Sequence, residues 1–260
     1  MQVWLVSPAW RRYSVTRLAL AQRRRLCDAL ALKGIEAHSV VVADDENLEI
    51  AREFDFDTVE MPNDDVGMKF NAGIRYAAEQ GADVFVHVGS DDWVHPCAFD
   101  VLNELDLSLA PDPVWEPGQC IVWRRGPIVL AQRQATIVDL PTGRVLRCNV
   151  AGSRGVIPWF IPRICMDVND WHPIAPGKMR GIDAALAKGL AIRPNWVFQE
   201  MPDDTLVDWK SGTNITPYIA LATNIGRGEP VGLDALRERY DDDLVDMAVA
   251  LHESTALAAA

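Results

Sequence analysis

The chain has 260 residues, 49% of them hydrophobic, enough to bury a substantial core as one large domain or as a domain with an extension. A formal net charge of −12 argues against a general nucleic-acid coat, whose affinity comes from neutralising phosphates. No apolar run approaches the roughly 20 residues that span a bilayer, and the first dozen residues lack the order of a signal peptide, so a cytoplasmic location without membrane insertion is expected.

In chain order, Val3-Trp4-Leu5-Val6 reads as a first strand that stops at Ser7-Pro8. The loop that follows holds Pro8, Trp10, Arg11 and Arg12. Residues 16–33 carry Leu18, Ala21, Leu26, Ala29 and Leu30 at helical spacing, with Arg23 to Arg25 expected on a solvated face and Gly34 as a stop. A second strand at 37–42 leads into Asp44-Asp45, and strand, helix, strand at this spacing predicts a parallel βαβ unit. A short helix at 47–54, a strand at 58–61 and a helix at 67–80 carrying Lys69, Asn71 and Gly73 come next. That helix feeds the apolar run Val84-Phe85-Val86-His87-Val88, which reads as a strand buried on both faces and ends in Gly89-Ser90-Asp91-Asp92.

The second half changes texture. Strands are expected at 120–123, 128–131, 136–140 and 145–148, with a turn over 140–144. Prolines 158 and 162 argue against one continuous helix over 159–167. A short helix at 181–189 and a strand at 192–198 precede a polar stretch, 203–217, expected as a loop carrying Lys210, and a last helix spans about 233–252. The fold class is therefore α/β and Rossmann-like: a mostly parallel central sheet flanked by helices.

Two adjacent carboxylates at the carboxyl end of a buried strand stand where an open α/β sheet places its ligand. Asp91 and Asp92 suit a hard divalent cation that also holds phosphates; a turn with solvated acids is the alternative reading. The five cysteines include no Cys-x-x-Cys pair, which predicts reduced thiols and no zinc site.

Several of these residues together resemble the family 2 glycosyltransferases of the GT-A fold, over about residues 3 to 198. Pro8-Ala9-Trp10-Arg11-Arg12 is similar to the family's opening Pro-x-aromatic-Asn-Arg loop, with Arg11 where Asn is usual. Asp44 or Asp45 sits where the family places a base-binding acid, and Lys69, Asn71 and Gly73 fall in the helix before the metal motif. Gly89-Ser90-Asp91-Asp92 with Trp93 and Pro96 resembles the Asp-x-Asp-Asp-aromatic-x-x-Pro signature, except that Gly89 replaces the first Asp and shifts the weight to Asp91 and Asp92. Gly181-Ile182-Asp183, at the start of a helix ending in Gly189, matches the frame of the catalytic base, with Ile182 in place of the usual Glu and Asp167 and Asp170 as nearby competitors.

The resemblance implies a GT-A domain at 1–198, its first hundred residues serving nucleotide sugar and metal and 101–198 the acceptor, with 199–260 as a loop and helix packed on the same domain. It implies transfer of a sugar from a nucleotide-diphosphate sugar to an acceptor hydroxyl, with Mn²⁺ or Mg²⁺ and inversion by single displacement. Pro8, Trp10 and Arg12 would wall the nucleotide, and Asp44 or Asp45 would meet its base. Lys69 and Asn71 would lie on the cofactor side, Asp92 would hold the metal, and Asp91 the metal or the ribose. Lys210 would close over the diphosphate, and Asp183 would take the proton of the acceptor. The acceptor class, whether protein, glycan, small metabolite or modified DNA base, is not written in the residues. A sugar-1-phosphate nucleotidyltransferase, which shares a similar α/β architecture and a metal, is one alternative, with the missing Gly-rich phosphate loop after the first strand against it. A non-catalytic nucleotide-sugar or glycan-binding protein on the same fold is the other alternative.

Overall fold

The computed structural model describes residues 1–104, 113–114, 122–123, 128–132, 134–149, 159–163, 166, 174–177, 197–201, 204–211 and 230–259. The first hundred residues alternate as expected: β1 (Gln2–Pro8), α1 (Tyr13–Leu32), β2 (Glu36–Ala43), α2 (Asn47–Glu53), β3 (Asp57–Glu60), α3 (Val66–Glu79) and β4 (Val84–His87). Short β5 (Asp92–Val94) and a 3-10 segment, Pro96–Glu104, complete this half. Further on come β6 (Pro113–Val114), β7 (Val122–Trp123), β8 (Ile128–Gln132), β9 (Gln134–Asp139), β10 (Arg144–Asn149), β11 (Trp159–Pro162), β12 (Val197–Met201), β13 (Leu206–Lys210) and β14 (Pro230–Gly232).

The main sheet has the order β12-β8-β11-β4-β1-β2-β3. β1 pairs in parallel with both β2 and β4, and β2 with β3, while β11 runs antiparallel between β4 and β8. β1 thus lies between the strand that follows it and one much later in the chain, which makes the carboxyl ends of β1 and β4 the point where the strand order reverses. Val3, Trp4, Leu5 and Val6 are all buried, because both faces of this strand are covered. On one face α3 packs Phe70, Ile74 and Ala77 against Trp4, Val6, Val40 and Phe85. Gly73 lets it approach closely, since a Cβ there would stand 2.5 Å from Val6 Cγ1 and 3.0 Å from Val42 Cγ2.

The second sheet, β14-β10-β9-β13-β5, contains the main departure from the sequence reading. The stretch expected as a polar loop at 203–217 supplies β13, which pairs antiparallel with β5 and parallel with β9. Helix α1 lies between the two sheets. Leu20, Leu26 and Leu30 join the core under the main sheet, while Val15, Leu18 and Ala19 join a core with Trp93, Val138, Val207 and Trp209 of the second.

Being covered on two sides changes the expected solvated face of α1. Arg24 and Arg25 are exposed, Arg25 pairing with Asp241 and Asp243, but Arg23 is 1% exposed. The predicted helix over 233–252 is broken: Leu233–Glu238 forms a 3-10 turn, and α4 (Asp242–Ala259) begins after it. Among the described residues, no helix is long and apolar enough to cross a membrane.

Candidate functional site

The loop after β4 is fixed by side chains and main chain from three other elements. Ser7 Oγ, at the end of β1, donates to Val88 O at 2.7 Å. Arg23 Nη2 on α1 donates to Gly89 O at 2.9 Å, and Trp209 N–H of β13 to Asp91 O at 2.9 Å. Asp92 turns back to accept from Gly89 N–H at 2.7 Å. Burial draws the Arg23 pKa down to about 10, against the pull of Cys27, Asp92 and Asp91, which leaves it cationic at neutral pH. The neighbouring Gln22 acts like an extra strand: its amide donates to Val94 O at 2.6 Å and accepts from Val94 N–H at 3.2 Å.

Three carboxylates gather on this scaffold. Oxygens of Asp91, Asp92 and Asp208 all lie within 4.8 Å of one another. Asp208 is brought there by strand register, since β13 places it directly opposite Asp92 of β5. Crowding shows in the electrostatics. Burial, then Asp91 and Asp208, push the Asp92 carboxyl well above its ordinary range. Burial raises Asp208 to about 6 in spite of Lys210. Lys210 Nζ lies 2.6 Å from Asp208 Oδ2, and although burial works against its charge, Asp208 and Asp91 outweigh that and raise its pKa.

The β1–α1 loop supplies the facing cation. Arg11 and Arg12 both adopt φ of 52°, left-handed backbone that is uncommon for non-glycine residues. The loop is held there because Asp45 Oδ2 accepts from Arg11 N–H at 2.8 Å and Asn47 Nδ2 donates to Arg11 O at 3.2 Å. As a result, Arg12 reaches across the switch point, its Nη1 donating to Asp91 Oδ2 at 2.6 Å and Nη2 to Ser90 Oγ at 3.1 Å. Trp10, 38% exposed, stands at the lip with the Arg11 guanidinium 4.5 Å over its ring.

S. aureus TarS 1–349 superposes with a TM-score of 0.50 at 12% identity, covering 80% of this chain and 60% of that one. The same protein in complex with UDP gives 0.50 at 13% identity, covering 81% and 61%. This is the GT-A fold. M. tuberculosis glucosyl-3-phosphoglycerate synthase is a further neighbour, with a TM-score of 0.48, 12% identity, and 88% of this chain and 82% of that one covered. The chain therefore spans about 60% of the length of TarS 1–349. No protein-family model and no curated protein sequence matches it.

Within the GT-A frame, the departure at Gly89 has a steric cause. A Cβ at Gly89 would stand 2.5 Å from Asp92 Oδ2 and 2.9 Å from Asp91 Oδ1, so no acid fits there while these two keep their places. Asp208 provides the third carboxylate instead. It was missed in the sequence, although Val207 and Trp209 alternating with Asp208 and Lys210 have the period of a strand with one buried face.

Other expected contacts find different partners. Lys69 is fully buried, its Nζ donating to Ala9 O at 3.0 Å and lying 3.7 Å from Asp44 Oδ1, so it props the β1–α1 loop from inside. Asn71 is also fully buried, and its amide clamps the main chain of Ile174, donating at 2.7 Å and accepting at 3.3 Å. Both are expected on the cofactor side; the contacts they make among the described residues are to Ala9 and Asp44 for Lys69 and to Met68 and Ile174 for Asn71. Of the two acids after β2, Asp45 uses both oxygens within the loop, on Arg11 and on Asn47, whereas Asp44 Oδ2 accepts from Asn63 N–H and its other oxygen faces Lys69. Pro8 is partly buried at the end of β1. Asp183, with Asp167 and Asp170, lies outside the described residues.

Proposed function

We propose that the chain transfers a sugar from a nucleotide-diphosphate sugar to an acceptor hydroxyl, with a divalent cation. The observation that carries this reading is the meeting of Asp91, Asp92 and Asp208 with Arg12 at the reversal point of the strand order, where this class of sheet binds nucleotides.

The residues fit a hard cation. The donor set is all oxygen, Asp208 Oδ1 is buried without a hydrogen-bond partner, and the missing side chain at Gly89 lets Asp91 and Asp92 crowd in beside it. Asp92 and Asp208 would hold Mn²⁺ or Mg²⁺, with Asp91 on the ion or the ribose. A cation there would neutralise the diphosphate as it leaves. Arg12 offers a forked donor to a phosphate once it releases Asp91. Trp10 and Pro8 would flank the nucleotide, and Asp44, with one oxygen less committed than either of Asp45's, is the better placed acid for the base. Asp183 would accept the acceptor's proton in a single inverting displacement. The acceptor half is assigned to residues 101–198.

The test is a thermal-shift panel of UDP-, GDP- and TDP-sugars with and without Mn²⁺, since a ligand that binds only the folded chain raises its melting temperature. A cation-dependent shift with one donor in the wild type, lost in Asp92→Asn, is expected. No shift with any donor would overturn the reading.

A further inference from the structure

Lys210 occupies a position that a diphosphate contact alone does not require. Its side chain is 9% exposed, and its ammonium rests on Asp208, the acid that β13 brings to the cluster. Each side chain that offsets these acids is held differently. Arg12 is forked across Asp91 and Ser90 from a loop fixed by Asp45 and Asn47. Arg23 is sealed beneath Gly89. Lys210 has a four-carbon stem with freely rotating bonds and a contact to one carboxylate from its own strand, so it is the cation that can leave without unmaking the scaffold.

Three carboxylates facing three side-chain cations form a cluster close to electrical balance, and a bare divalent ion entering it meets repulsion from a neighbour already in contact with Asp208. We propose that Lys210 is the resident counter-ion of the acid cluster, that a divalent cation must displace it from Asp208, and that the displaced ammonium then pairs with the diphosphate arriving with that cation. The proposal rests on the transferase reading and adds to it a condition on loading. The site takes up the free ion weakly and the ion together with a diphosphate strongly, because the diphosphate offers the displaced Lys210 ammonium an anionic contact in place of Asp208. No bond is made or broken; the exchange is one of ionic partners.

The experiment follows Mn²⁺ uptake by the full chain through the loss of the free-ion electron paramagnetic resonance signal. Mn²⁺ is titrated alone and with UDP, GDP or TDP, in the wild type and in Lys210→Met. Expected are weak uptake of Mn²⁺ alone by the wild type, uptake at least about tenfold tighter by Lys210→Met, and strong uptake by the wild type once one nucleoside diphosphate is present. Equal uptake of Mn²⁺ alone by wild type and variant, with nucleotide-dependent uptake intact, overturns the displacement and leaves the transferase reading standing. Absence of uptake in both proteins with all three nucleotides overturns both. If Lys210→Met does not fold, the wild type decides: acylation of Lys210, read by mass spectrometry, rises on adding Mn²⁺ at saturating concentration, and an unchanged rate overturns the proposal.

Discussion

Replacing Gly89 by alanine tests whether the acid cluster depends on the missing side chain. The added Cβ would stand 2.5 Å from Asp92 Oδ2, 2.9 Å from Asp91 Oδ1 and 3.1 Å from Asp92 Cγ, against 3.4–4 Å for ordinary contact. Asp92 must therefore retreat by roughly 0.9 Å at its nearest oxygen, which breaks the 2.7 Å hydrogen bond from Gly89 N–H. A hydrogen bond to a charged group contributes about 1.5–3 kcal/mol and overpacking costs about 1–3 kcal/mol. Because relief of one lessens the other, the expected loss is about 2–4 kcal/mol, read as a lower urea midpoint at unchanged slope. Mn²⁺-dependent nucleotide affinity should fall further than stability does, since the oxygen that moves is a proposed ligand. Gly89→Asp, which supplies the first acid of the Asp-x-Asp-Asp signature, should behave no better than the alanine variant. A Gly89→Ala protein with the wild-type urea midpoint and nucleotide affinity would refute the steric argument.

Three more outcomes are expected. Gly73→Ala should cost about 1–3 kcal/mol by forcing α3 off Val6 and Val42, measured by urea denaturation, with the nucleotide site unaltered in a mildly destabilised chain. Asn71→Ala leaves the main-chain groups of buried Ile174 unpaired and should cost about 2–4 kcal/mol while nucleotide affinity per folded molecule stays constant; loss of affinity at unchanged stability would return Asn71 to the cofactor side. His87 is held by burial at a pKa of about 4, below its ordinary 6.5, so the unfolded chain takes up its proton first and stability falls as pH drops through that interval, by about 3 kcal/mol in all. Asp208, raised to about 6, acts in the opposite sense, so the measurement is the difference between wild type and His87→Phe, whose acid limb should be flatter by that amount.

How much of this was legible in the sequence depended on whether a residue's partner was near in the chain. Val84 to Val88 running into Asp91 and Asp92 marked the loop directly, because an apolar run with His87 as its one polar member reads as buried on both faces and places its acids at its end. The alternation of the first hundred residues was readable for the same reason. Asp208 was not, since its role arises from pairing with β5 and β9, and five residues among polar neighbours carry too short a period to announce a strand. Arg23 was read as solvated because helical spacing shows one apolar stripe, whereas α1 is enclosed by two sheets. The contacts that Lys69, Asn71 and Asp45 make within the protein were not legible, because their partners at Ala9, Ile174 and Arg11 lie 60, 103 and 34 positions away.

The insertion of β13 between β5 and β9 also sets when the site can come into being. Asp91 and Asp208 are 208 − 91 = 117 positions apart, so the first two acids of the cluster are synthesised long before the third. As the chain leaves the ribosome, the parallel strands around β1 can pair among themselves while β5, among the described residues, has helix α1 and the Gln22 amide beside it. The late segment must then slide between two partners already made, a long loop closure of the slow kind. Until it does, Asp91 lacks the donor to its carbonyl from Trp209 and the cluster lacks both its third acid and its lysine. A nascent or truncated chain therefore displays two acids of the cluster, and the proposed cation site is assembled when β13 docks.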